Sequence, residues 1–142
     1  RRLQKYSVQV GGGYNHRHNL SDGILIKDNH ITAFGGSIAN TIKAAKKNAA
    51  HTLKIEIEVE TLENVQEALD AKADIIMLDN MSTNMMTEAV KLCKGQAVTE
   101  ASGGVTLSTV REIAETGVDI ISIGAITHSA PNLDISLDIT SL

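Results

Sequence analysis

Short apolar runs alternate with segments whose apolar residues recur every three or four positions, and this rhythm fills most of the chain. Runs at 24–27, 54–60, 73–78, 96–100 and 118–123 read as strands, because each is short, rich in Ile, Val and Leu, and bounded by polar or glycine residues. Between them lie amphipathic helices. Ser37 caps one through about residue 50 with Ile38, Ile42 and Ala45 on its buried stripe, and Thr61 caps the next over Leu62, Val65, Ala68 and Leu69. A third helix covers 83–93, with Ser82 or Thr83 as its cap. A fourth follows Thr106, with Leu107, Val110, Ile113 and Ala114 turned inward and Gly117 as its stop. Residues 1–10 fit a helix (Leu3, Tyr6, Val10) or an alternating strand (Tyr6, Val8, Val10), and helix is the reading taken. The tail LDISLDI, residues 133–139, alternates apolar and polar and reads as a strand of a different environment.

Strand and helix in strict alternation imply a parallel sheet joined by right-handed crossovers, an α/β fold. Five strands cannot close a standard eight-stranded barrel, so the expected architecture is an incomplete, shortened α/β barrel of parallel strands with flanking helices. The composition agrees: with two Tyr, one Phe and no Trp, the core must be built from Ile, Val, Leu and Ala, as suits strands covered by helices. A chain of 142 residues holds one such core. It starts without Met, and residues 1–142 are read as the barrel domain of a longer two-domain protein, with the tail packing on the other domain. The net charge of −4 argues against a general nucleic-acid surface. No apolar run approaches the ~18 residues of a membrane span, so no membrane partner and a cytoplasmic location are expected. The single Cys93 gives no disulfide framework and reads as a buried helix residue.

Charge is concentrated where α/β folds keep their chemistry. GGGYNHRH supplies His16 and Arg17, and LIKDNHI supplies Lys27 and His30. Lys27 continues an apolar strand and therefore needs a partner. In KIEIEVE, Ile55, Ile57 and Val59 share one face of a strand while Glu56, Glu58 and Glu60 share the other. With helices on the apolar face, the glutamates point into the barrel mouth, where Lys27, His16 and Arg17 can compensate them. Glu58 and Asp79 stand at or near strand ends, and such oxygen ligands suit Mg²⁺ that also touches substrate phosphates. Ser102, Gly103 and Gly104 form a turn between strand and helix, where backbone N–H groups can approach a phosphate. Gly124-Ala125, with His128 behind it, offers a second such turn, as recurs on the last two loops of α/β barrels. Anionic, phosphorylated substrates are the expected class.

GGGYNHRHNLSDGILIKDNHI, KIEIEVETL, ADIIMLDNM, EASGGV and TGVDIISIGAITHS, in that order, closely resemble the barrel domain of the quinolinate phosphoribosyltransferases. The resemblance implies a transferase that joins quinolinate to phosphoribosyl pyrophosphate with decarboxylation, giving nicotinate mononucleotide, pyrophosphate and CO₂. It implies that His16, Arg17, Lys27 and His30 form a cationic floor for quinolinate, and that Glu58 and Asp79 address the ribose and Mg²⁺. Ser102, Gly103 and Gly104, with Gly124 and His128, would hold the ribose phosphate, and Lys27 would assist protonation. It further implies a homodimer or higher assembly, with basic groups from outside these residues completing the site. The alternatives are a paralogue of the same fold associated with molybdenum uptake and a non-catalytic barrel fragment.

Overall fold

In the computed structural model, which describes residues 1–140, five strands are interleaved with seven helices, two of them consecutive after the first strand. They are α1 (Arg2–Val10), β1 (Ile24–Ile26), α2 (Asp28–Ala33), α3 (Ile38–Asn48), β2 (Ile55–Val59), α4 (Leu62–Asp70), β3 (Ile75–Asp79), α5 (Thr83–Cys93), β4 (Val98–Ser102), α6 (Val110–Glu115), β5 (Ile120–Ile121) and α7 (Ala125–His128). The strands form one sheet in the order β1-β2-β3-β4-β5, and every pairing is parallel. Sequential order with parallel pairing is the arc of a barrel that five strands leave open.

The register sorts each strand into two faces. Ile57 of β2 lies opposite Ile26 and Ile76, and Ala101 of β4 lies opposite Leu78 and Ile121. That face carries Ile55, Ile57, Val59, Ile76, Leu78 and Ala101, all buried. It packs against α3, α4, α5 and α6, whose Ile42, Val65, Ala68, Met86, Ala89 and Ile113 complete the core. Burial of each large aliphatic side chain here contributes roughly 1.5–3 kcal/mol, which fixes the register because a slip of one residue would turn the glutamates outward into the helices. Cys93 belongs to this layer, and burial pushes its thiol up to about 11. The expected helix caps hold: Ser37, Thr61 and Ser82 accept from the backbone N–H of Asn40, Asn64 and Met85. At the amino ends of the strands one device recurs. Asp74 accepts from Ile55 N–H, and Asp119 accepts from the N–H and hydroxyl of Thr99, so each aspartate ties down the start of the neighbouring strand.

Several expectations are corrected. The tail 133–139 forms no strand: Leu133, Ile135, Leu137 and Ile139 are exposed, and no sheet edge pairs with their backbone. Alternation supplies a strand's side-chain pattern but not its hydrogen-bonding neighbour. The helix expected from Thr106 begins at Val110, and Leu107 and Ala114 face solvent. There the Thr106 N–H donates to Thr109 Oγ1, a side-chain turn that competes with the first helical turn. The fourth strand lies two residues later than expected, and the fifth is only two residues long. The brief helices α2 and α7 were not expected.

Candidate functional site

The face of the sheet opposite the helices is where the charges gather. Glu56 pairs with Leu25 and Ile75, Glu58 with Met77, Met77 with Glu100, and Glu100 with Ile120, so these side chains share the inner face. They line an open cavity of about 1200 Å³. The segment after α1 covers part of it: Lys5 Nζ donates to the His16 carbonyl at 2.8 Å and Asn15 donates to the Lys5 carbonyl at 2.9 Å, so the glycine-led turn brings His16 and Arg17 over the sheet. Arg17 Nη1 donates to the Gly23 carbonyl at 3.3 Å, and both residues line the cavity.

Two ion-paired groups result. Lys27, just past β1, reaches across to Glu58 at 2.5 Å, which supplies the partner that its place after an apolar strand demanded. His16 Nε2 lies 3.2 Å from Glu56 Oε2 and 3.9 Å from Glu100 Oε1. The hydrogen bond that the ring donates to Glu56 raises the His16 pKa, against the opposing effect of partial burial. Ser122, the residue after β5, donates to Glu100, whose carboxyl is itself pushed up because it is buried. One ligand atom each from His16, Glu56 and Glu100 falls within 4.8 Å of the others, a set of donors that a divalent cation could use.

The remaining expected site residues divide. Ser102, opposite Asp79, and Gly124 line the same cavity, at the carboxyl end of the sheet where Glu58 and Asp79 also stand. Asp79 is half-buried and accepts from the Asn80 side chain at 3.0 Å. Gly103 and Gly104 have φ of +94° and +58°, and a side chain at Gly103 would collide with Asn80, so at least Gly103 answers to packing. His128 stacks its ring beside Gly124, where an added Cβ would lie 3.1 Å from Nε2. His30 is not brought to the others. Its Nδ1 accepts from the Lys27 N–H at the start of α2, and the ring lines a separate cavity of about 310 Å³ beside Phe34 and α3. Glu60 is exposed beyond β2, so two of the three glutamates, Glu56 and Glu58, enter the barrel. Glu100 and Ser122 were missed. The signal was present in VTEAS, a charged residue two places before Ser102 in a strand that helices were expected to cover.

Cations thus lie over an inner face of carboxylates toward the carboxyl ends of parallel strands. Residues 1–138 match the family described as quinolinate phosphoribosyl transferase, C-terminal domain. The chain belongs to that family. It is 50% identical over 140 residues to the Bacillus subtilis (strain 168) protein named "Probable nicotinate-nucleotide pyrophosphorylase (carboxylating)", covering 99% of this chain and 48% of that one. The Arabidopsis thaliana nicotinate-nucleotide pyrophosphorylase (carboxylating), chloroplastic, is 44% identical over 157 residues, covering 98% and 45%. The crystal structure of the nicotinate-nucleotide pyrophosphorylase from Ehrlichia chaffeensis superposes with a TM-score of 0.88 at 50% identity, covering 97% of this chain and 50% of that one. The chain thus spans about half the length of the relatives it matches. The likeness of fold extends the sequence resemblance to three dimensions and supports the shortened α/β barrel.

Proposed function

We propose that the inner cavity is the substrate-binding half of a phosphoribosyltransferase that acts on quinolinate, releasing nicotinate mononucleotide, pyrophosphate and CO₂, as a step in NAD biosynthesis. The observation that carries this reading is that His16, Arg17 and the strand-end carboxylate of Glu58 line one cavity, with Lys27 ion-paired to that same Glu58. A planar dicarboxylate needs cations set at an angle to one another, and the guanidinium of Arg17 can take a carboxylate through two parallel N–H donors. Ser102 and Gly124 line the cavity, and to them, with the adjoining Gly103-Gly104 turn and His128 beside Gly124, the reading assigns the ribose phosphate, held by hydroxyl and backbone N–H groups.

The chemistry then asks little covalent work of the protein. Pyrophosphate leaves the anomeric carbon with the bonding electron pair, and Glu58 stabilises the oxocarbenium-like ribose electrostatically. The pyridine nitrogen lone pair forms the new bond to that carbon, which makes the ring cationic. The bond from the adjacent ring carbon to its carboxylate breaks, CO₂ departs, and the electron pair remains on the ring carbon beside the positive nitrogen. Lys27 supplies the proton that this carbon takes up. Glu58 and Asp79 fit Mg²⁺ by donor type: both present carboxylate oxygens at the carboxyl end of the sheet, with the remaining ligands left to phosphates and water. Bound there, the ion would neutralise charge on the departing pyrophosphate.

The reading includes a homodimer or larger assembly and a cytoplasmic setting, with no nucleic-acid or membrane partner. Exposed Leu3, Tyr6 and Val10 on α1, together with the apolar tail, are surfaces that an assembly or a preceding domain would cover. Among the described residues no helix is long and apolar enough to cross a membrane.

The test joins the remaining half of the Bacillus subtilis relative to this chain and supplies phosphoribosyl pyrophosphate, Mg²⁺ and quinolinate labelled in the carboxylate beside the ring nitrogen. Labelled CO₂ that requires both substrates is the expected result. No release, or equal turnover of other pyridine dicarboxylates, would contradict it.

A further inference from the structure

His16 is held from below by acids that the reaction just described does not use. Glu56 and Glu100 are among the few charged residues buried in the chain, at 6% and 2% exposure, and they sit on β2 and β4 with β3 between them. Buried carboxylates are costly unless something answers their charge. What answers here is a single imidazole, 3.2 Å from Glu56 and 3.9 Å from Glu100, with Ser122 donating to Glu100 from the next strand end. The nitrogen that meets both acids is Nε2. Nδ1 therefore has no carboxylate partner among the described residues, and the ring lines the cavity with its side chain 37% exposed.

We propose that Glu56, backed by Glu100, is a positioning residue that fixes the His16 imidazolium, with Nε2 occupied by the buried acids and Nδ1–H presented to a carboxylate of an aromatic dicarboxylate. The arrangement explains why acids lie directly beneath an anion site, where they would otherwise repel the ligand. Their charge is spent on His16 at close range, and the ring delivers a directed donor at the cavity surface. The groups that set its protonation come from every element around it. Glu56 on β2 and Glu100 on β4 favour the cation, adjacent Arg17 opposes it, and Lys5 of α1 holds the His16 carbonyl. The positive form is favoured below the raised His16 value and is lost as pH rises through it.

The donor half of the proposal rests on quinolinate being the ligand, and the experiment separates the two. Imidazole NMR titration of the intact chain without ligand reads His16 directly. Glu56→Gln should lower the His16 midpoint, because the hydrogen bond from the ring to the Glu56 carboxylate is what raises it. Quinolinate affinity, followed in the same samples, should fall severalfold at a pH between the wild-type and variant His16 midpoints and stay near the wild-type value at about pH 5.5, where imidazole is charged without help. Glu56→Asp, which keeps the charge, should restore part of the loss. Should Glu56→Gln fail to fold, Glu100→Gln carries the same comparison with a smaller shift expected. An unchanged His16 midpoint would overturn the proposal, as would an equal loss of affinity at both pH values. So would broadening of the His16 signals by Mn²⁺ that Glu56→Gln abolishes, since that would make the cluster a metal site. Failure of the wild-type chain to bind quinolinate would overturn the functional reading and the donor role with it, while the ligand-free titration still decides the positioning.

Discussion

At the scale of single residues, the site is a matter of which charges have partners. Arg17 is half-buried with one donor on the Gly23 carbonyl, so the rest of its guanidinium is available to a carboxylate in the cavity. Arg17→Lys should weaken quinolinate binding by roughly 1.5–3 kcal/mol, because a point charge cannot replace a two-pronged contact in a partly desolvated site. Isothermal titration would show it, and equal losses for quinolinate and phosphoribosyl pyrophosphate would remove Arg17 from the pyridine pocket. Glu100 makes a separate prediction about stability. Burial raises its pKa, so the folded chain binds that proton more tightly than the unfolded chain does. The carboxyl therefore favours folding while protonated and opposes it as pH rises through the folded value. Glu100→Gln should raise the melting temperature near neutral pH, with the gain fading below about pH 4, where the glutamate is neutral in both states. A gain that persists unchanged into acid would contradict this.

Element by element, the sequence revealed the strands through their faces more than their ends. KIEIEVE was legible because a period of two left only one question, whether its polar side was wet or enclosed, and the helices on either side of it in sequence answered that. Lys27 was legible as a residue in need of a partner, and Glu58 on the neighbouring strand supplies it. Glu100 was obscured because its strand carries Thr and Ser around it, which reads as weakly amphipathic until β5 is known to lie alongside. The interlock of the turns after β3 and β4 was also hidden. Asn80 N–H donates to the Ser102 carbonyl at 3.0 Å, and an added Cβ at Gly103 would sit 2.2 Å from Asn80 Oδ1 and 2.9 Å from its backbone N. Gly104, also at positive φ, has open space around it. Gly103→Ala should therefore cost about 1–3 kcal/mol through both clash and backbone strain, and Gly104→Ala about 1 kcal/mol through strain alone. Urea unfolding midpoints would rank them, and equal costs would show that Asn80 yields. Gly104 is accordingly the cleaner position at which to probe a phosphate.

For the whole molecule, the open arc of five strands leaves the inner face as a wide cavity, and residues 133–139 pair with neither of its edges. Leu133, Ile135, Leu137 and Ile139 are more than four-fifths exposed, so truncation after Pro131 should leave the melting temperature of this chain unchanged. A marked drop would mean that the tail packs on the barrel in solution. On the inner face, cations over strand-end carboxylates make the proposed site for an aromatic dicarboxylate. Its most direct test is a quinolinate titration of the intact chain followed by backbone and side-chain NMR, which detects weak binding as readily as tight. Saturable shifts centred on His16, Arg17 and Lys27 are expected, and nicotinate, with one carboxylate fewer, should reproduce them only at higher concentration. Shifts centred instead on Phe34 and α3, around the smaller cavity, or no saturable shifts at all, would contradict it.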